Sequence, residues 1–404
     1  MQKEEHYMES ILYVGMDVHT SNYTLCTYSI EDDREFGLVK FEPDYLNIVR
    51  YVKRLKEHHG QETRIICGYE AGGLGYSLYR SLTANSIECV ILAPSTMPKA
   101  PNERKTDYRD AAKIARCLAY NSYRSVYIPD AEDEAVKEYI RMRDNTKDHI
   151  KQLKQRILAL CTRWRKEFNG TKKCWPVAHM KWLQHLEFDN PVAQEAFDEY
   201  VIQLNEANAR LKRYDERIEK WADLPRYTEK VARLTCFCGI KTHVALATIA
   251  EVSDFNRFPN ANRFASYLGL VPGEYSSGNN INRLGITKQG NSHIRKLLTE
   301  AAQCYARALP GRPSAELLKR QRGNDPKVIS YANKGNERLK RKYRSIAARK
   351  PRPLAVIATA RELACFIWGM IRKRKKRLIK SVLHLMVMRF FLVQKPSGFI
   401  SMLA

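Results

Sequence analysis

"ILYVGMDV", residues 11–18, is an apolar run broken by a single acid, Asp17. Two further short runs, "NYTLCTYSI" (22–30) and "REFGLVKF" (34–41), follow at hairpin spacing across the polar turns "HTS" and "EDD". Three consecutive strands are the reading that fits, because each run is too short for a helix and is bounded by turn residues. "YLNIVRYVKRLKEHH" (45–59) then places Leu46, Ile48, Val49, Val52 and Leu55 on one helical face. "RIICGYE" (64–70) returns as a buried strand, and a helix over about 74–85, a strand "IECVILA" (87–93) and a helix over about 107–120 complete the order βββαβαβα. That order predicts a mixed sheet covered by helices.

Placed on those elements, four carboxylates fall toward one end of the sheet. Asp17 lies inside the first strand between Met16 and Val18, where an unpaired acid is costly to bury. Glu70 ends the fourth strand, and Asp107 and Asp110, in "KTDYRDAAKIARCL", share the first turn of the last helix. Like charges so gathered repel unless a divalent cation neutralises them, and hard oxygen ligands suit Mg²⁺ or Mn²⁺. Such ions serve in-line phosphoryl displacement. A plainer reading stands beside this one: Asp107 caps the helix with Asp110 supporting it, and Glu70 belongs to a loop.

Composition points to a polyanionic partner. The 404 residues carry 69 Lys+Arg against 44 Asp+Glu, a net charge of +25, which favours nucleic acid. The cysteines are scattered through apolar stretches without paired C-x-x-C spacing, as expected of buried free thiols in a reducing cytoplasm. Cys236 and Cys238 are near in sequence, and alternation points them apart. The apolar run Ser381 to Val393 is shorter than the roughly 20 residues of a membrane span and carries His384 and Arg389, so no membrane anchor is expected. No P-loop pattern G-x-x-x-x-G-K-[ST] occurs.

"YVGMDVH" with Asp17, "GYEAGG" with Glu70 and "KTDYRDA" with Asp107 and Asp110 together resemble the DEDD transposases of the IS-one-ten group of bacterial insertion sequences. A second match, "NRFASYLGLVPGEYSSGNNINRLGITKQGNSHIRKLLTEAA" (262–302), resembles the C-terminal transposase domain of the same group. The resemblance implies an RNase H/RuvC-like α/β domain over 9–125, a helical coiled-coil linker over 130–228 and a mainly helical C-terminal domain over 231–376, with a tail over 377–404 that has no counterpart in the group. It implies a cytoplasmic bacterial enzyme that acts as a homo-oligomer on double-stranded DNA, guided by a structured noncoding RNA. Its site would combine the acids of one protomer with a serine of another. Carried over by position, that serine is Ser277, before Gly278, with Ser276 as competitor.

A serine hydroxyl attacks phosphorus only when its alkoxide is made accessible. Arg283, Lys288, His293 and Arg295 follow the serines and are candidates to hold the phosphate, or else form a solvated basic face. Lys105, beside the acidic helix, and Lys340, Arg341 and Lys342, in the basic stretch 334–353, are expected to meet nucleic acid. "LTCFCGIKTHVALATIAEV" (234–252) reads as a glycine turn opening a helix, a geometry in which backbone N–H groups receive phosphate. Residues 132–168 and 196–224 read as an antiparallel helical hairpin with an irregular region between them, and 354–370 as a core helix. Three functions stay open: a transposase using Ser277 with metal-bound acids, a RuvC-like endonuclease cutting by water, and a binder of nucleic acid with decayed sites.

Overall fold

The computed structural model describes residues 10–98, 106–170, 175–274 and 282–372. Ser276, Ser277, Lys105 and the tail 377–404 lie outside the described residues. The chain divides into two compact units, residues 1–129 and 130–404.

The first unit is built on β1 (Ile11–Val18), β2 (Tyr23–Ser29), β3 (Arg34–Phe41), α1 (Tyr45–His59), β4 (Arg64–Glu70), α2 (Ser77–Ala84), β5 (Glu88–Leu92) and α3 (Asp107–Ala119). The strands form one five-stranded sheet in the order β3-β2-β1-β4-β5. β1–β2 and β2–β3 pair antiparallel, and β1–β4 and β4–β5 pair parallel. The sheet is therefore mixed, and the order of elements read from the sequence is the order observed.

Side-chain alternation along the strands builds two layers. Leu12, Val14 and Met16 of β1 and Ile65, Cys67 and Tyr69 of β4 pack with Ile48, Val52 and Leu55 of α1 and Leu78 and Leu82 of α2. Tyr13, Ile66, Val90 and Leu92 face the other way, onto Ile114, Cys117 and Leu118 of α3. Gly15 and Gly68 lie opposite each other in the β1–β4 register, on this second face. A Cβ at Gly15 would sit 2.0 Å from the carbonyl oxygen of Ala111 and 2.3 Å from the nitrogen of Ala115. Helix backbone thus lies directly on strand backbone, which only a residue without a side chain permits.

The second unit is mainly helical. Its elements are α4 (Ala131–Arg163), α5 (Val177–Gln184), α6 (Pro191–Ala222), α7 (Thr228–Thr235), α8 (Thr242–Val252), α9 (Ala261–Tyr267), a ribbon of β6 (Pro272–Glu274) with β7 (Arg283–Ile286), α10 (Ser292–Ala302), α11 (Cys304–Arg307), α12 (Ala315–Gln321), α13 (Pro326–Ala347) and α14 (Arg352–Ile371). α4 and α6 form the expected antiparallel hairpin. The region between them, expected to be irregular, contains α5, whose Leu183 packs into the hairpin's own core with Leu160 and Phe197.

The base of that hairpin belongs to a different core. Ile140, Ile218 and Ala222 are buried with Leu234, Leu246, Leu298 and Leu363 of the C-terminal helices. α14 is the one described helix long and apolar enough to cross a membrane. Its Ala360, Leu363, Ala364 and Ile367 are fully buried, as the sequence reading of a core helix anticipates.

Candidate active site

The two opposed glycines fix where the acids fall. Two residues beyond Gly15 on the same face of β1 comes Asp17, and two beyond Gly68 on β4 comes Glu70. Ala111, which touches Gly15, is one turn into α3, so the first turn of that helix, with Asp107 and Asp110, overlies the ends of both strands. Asp17 and Asp107 offer carboxylate oxygens within 4.8 Å of each other and of a ring nitrogen of His19. Glu70 and Asp110 line one small cavity of about 120 Å³ with Pro94, Met97, Lys113 and Ile114.

Electrostatics tie the two pairs together. Burial pushes the Asp17 carboxyl above its usual range, and the negative charges of Asp110 and Asp107 push it further against the opposing pull of His19. His19 Nε2 lies 3.3 Å from Asp17 Oδ2. Asp107 is held below the usual range by Lys40, whose ammonium donates to Oδ2 at 3.0 Å. The capping reading of Asp107 is replaced: Thr106 is the N-cap, its side chain accepting from Arg109 N–H. With the cap filled by another residue, the Asp107 carboxylate is left to His19, Asp17 and Lys40.

The crowding that raises the proton affinity of Asp17 is what a hard divalent cation relieves. Asp17 and Asp107 could supply oxygens and His19 a borderline nitrogen to a divalent cation, while Glu70 and Asp110 line their own small cavity. Sequence reasoning missed His19 and Lys40. His19 stands two residues past Asp17 on the strand end, and that spacing is the signal it carried.

The second unit holds a buried ionic network at the hairpin base. Asp144 of α4 faces His293 Nε2 at 2.7 Å and His243 Nε2 at 3.0 Å, and accepts from Arg143 Nη1 at 2.9 Å. Glu251 of α8 accepts from Arg141 Nε at 2.6 Å and Asn291 Nδ2 at 2.8 Å, and faces His293 Nδ1 at 3.1 Å. Against the cost of their burial, these partners hold the Asp144 carboxyl far below its usual range and that of Glu251 at about 2. Clasped between the two carboxylates, the His293 imidazole rises to about 9 despite its burial. His293 is therefore a cation already spent on two carboxylates rather than a hand for phosphate.

The expected nucleic-acid contacts divide in the same way. Arg295 donates to the carbonyls of Leu268 (2.8 Å) and Gln289 (3.4 Å), bracing the turn before α10. Lys340 is 2% exposed and its ammonium donates to Glu337 at 2.7 Å, so this side chain is buried in α13 and not displayed on its surface. Lys342 and Arg338 both engage Glu362. Arg341 and Lys288 are exposed. Arg283 lies in β7, whose pairing with β6 brackets the segment that contains Ser276 and Ser277 in sequence.

Comparison with known proteins places the chain in a family. Residues 14–164 match the DEDD transposase family, and residues 231–316 match the Transposase IS116/IS110/IS902 family. Among curated relatives, "Transposase for insertion sequence element IS1533" of Leptospira borgpetersenii is 31% identical over 358 residues, 86% of this chain and 100% of its own length. "Putative transposase y4qE" of Sinorhizobium fredii is 34% identical over 310 residues, 76% of this chain and 75% of its own. A more distant relative, "Transposase for insertion sequence element IS1111A" of Coxiella burnetii, is 23% identical over 344 residues, 82% of this chain and 90% of its own.

Membership in these transposase families defines a DNA-processing enzyme, a transposase. The chain belongs to the IS110 family of DEDD transposases, enzymes that cleave and rejoin DNA of insertion sequences.

Proposed function

We propose that the first unit is an RNase H/RuvC-like catalytic domain in which Asp17, Glu70, Asp107 and Asp110 hold divalent metal, Mg²⁺ or Mn²⁺, at a DNA phosphate. The observation that carries this reading is the crowding of Asp17 by Asp107 and Asp110 at the α3 end of the sheet. When bound, the metal supplies charge neutralisation for the phosphate oxygens. His19 adds a ring nitrogen beside Asp17, and Lys40 orients Asp107 from the rim.

In this reading Ser277 is the nucleophile, with Ser276 as the alternative. Its Oγ attacks phosphorus, the P–O3′ bond breaks, a phosphoserine bond forms and the 3′ oxygen leaves as a hydroxyl. The phosphodiester energy is kept for rejoining, in accord with a sequence that has no P-loop. The family resemblance supports the further features: a noncoding guide RNA, and a homo-oligomer in which the acids and the serine come from different protomers.

Trapping the covalent protein–DNA adduct tests the proposal. The adduct is expected with the unaltered chain, is lost in Ser277→Ala while DNA binding persists, and is lost in Asp17→Asn or on chelation of metal. Cleavage that survives Ser277→Ala and Ser276→Ala without any adduct establishes the water-dependent endonuclease in its place.

A further inference from the structure

Two cysteines 66 residues apart in sequence meet in the second unit. Cys238 lies in the turn between α7 and α8, and Cys304 opens α11; their sulfurs are 2.9 Å apart. The turn is fixed on both sides. Cys238 N–H donates to Asn336 Oδ1 at 2.9 Å, and Gly239, at φ +80°, runs so close to α10 that a Cβ there would meet the Ala301 carbonyl oxygen at 2.3 Å. Asn336 is itself buried, accepts from Tyr305 O–H at 2.9 Å and donates to the carbonyl of Cys236 at 3.2 Å. The backbone that carries Cys238 is thus fixed by the core around it.

The two thiols are unequal. Donation from Cys304 holds the Cys238 thiol below its ordinary range, assisted by the positive charges of Lys340 and Arg320. The same bond and burial push Cys304 up. Both residues keep partial solvent exposure, whereas Cys67 and Cys89, neighbours across β4 and β5, are buried and pushed up by burial. A partly exposed thiol of lowered proton affinity in contact with a second thiol is the arrangement of an attacking and a resolving cysteine.

We propose that Cys238 and Cys304 are a reversible dithiol–disulfide site that reacts with small organic disulfides. The Cys238 thiolate attacks one sulfur of the small disulfide and displaces its first half as a thiolate. Cys304 then loses its proton to solvent and attacks Cys238 Sγ, releasing the second half. The protein pair is oxidised by two electrons and the small disulfide is reduced to two thiols. The new bond encloses residues 239–303, tying the turn before α8 to α11. The proposal is independent of the serine and metal chemistry.

The full chain is incubated with oxidised glutathione at about pH 8, alkylated and digested. The expected result is loss of two alkylatable thiols of the 10 present, with the peptides of Cys238 and Cys304 joined and both thiols restored by a dithiol reductant. Cys304→Ser is expected to accumulate the glutathione adduct on Cys238. Full alkylation of both residues after oxidation, in a chain whose circular dichroism is unchanged, overturns the proposal, as does a bond formed instead between Cys67 and Cys89. The unaltered chain decides the matter by itself should the variant fail to fold.

Discussion

At the scale of single residues, chemical type alone did not separate cations that are used from cations that are displayed. Lys340, Arg341 and Lys342 are consecutive, yet Lys340 is buried on Glu337, Lys342 is tied to Glu362, and Arg341 is exposed. Arg341→Ala is expected to weaken DNA binding with little effect on stability. Lys340→Ala should do the reverse, lowering stability by about 2 kcal/mol because it removes a buried side chain together with its ion pair to the partly exposed Glu337. Binding titration and chemical denaturation of the two variants test this, and equal effects of both on binding would refute it. Asp17, by contrast, was legible: an acid inside an apolar strand announces itself by its cost. His293 was misread because its two carboxylate partners lie 42 and 149 residues away in sequence.

The elements add what residues cannot. Gly15 and Gly68 stood in the sequence as "VGMDV" and "CGYE", each two residues before an acid. Their purpose appears only when α3 is seen lying on them. Gly15→Ala is expected to cost about 3 kcal/mol or more through overpacking, because the new methyl meets helix backbone that cannot rotate away. It should also depress cleavage more than binding by displacing Asp107 and Asp110. A thermal transition unchanged in that variant would show that α3 does not press on β1.

A second element-scale prediction concerns the clasp joining α4, α8 and α10. His293, raised to about 9, contributes stability that is fully present below its ordinary value near 6.5 and is lost as pH rises through about 9. Glu251, held at about 2, contributes stability present above its ordinary value near 4.3 and lost as pH falls through about 2. The window in which both act in full is therefore about pH 4.5–6.5. Between pH 6.5 and 9 the chain should lose stability by an amount that His293→Gln removes. Thermal denaturation as a function of pH measures it, and a parallel decline in the variant would assign the loss to other groups.

For the whole molecule, the excess of cations predicts binding dominated by phosphate neutralisation. Affinity for double-stranded DNA should fall by roughly 10³-fold or more between about 50 and 200 mM salt, and a flat salt dependence would argue against a backbone-led interface. The succession of strands and helices along the chain and the hairpin were readable because periodicity and turn residues are local. The ionic base of the hairpin and the pairing of Cys238 with Cys304 were not, since both depend on which distant helices pack together. The hairpin also sets a length. From Asp144, held in the C-terminal core, α4 runs on to Arg163, about 29 Å at 1.5 Å per residue. Because that outer stretch packs on α6 and α5 through a core of its own, removing whole turns in matched pairs from both rods would shorten the reach of this arm while leaving its anchorage untouched, making it a ruler whose graduation is the helical pitch.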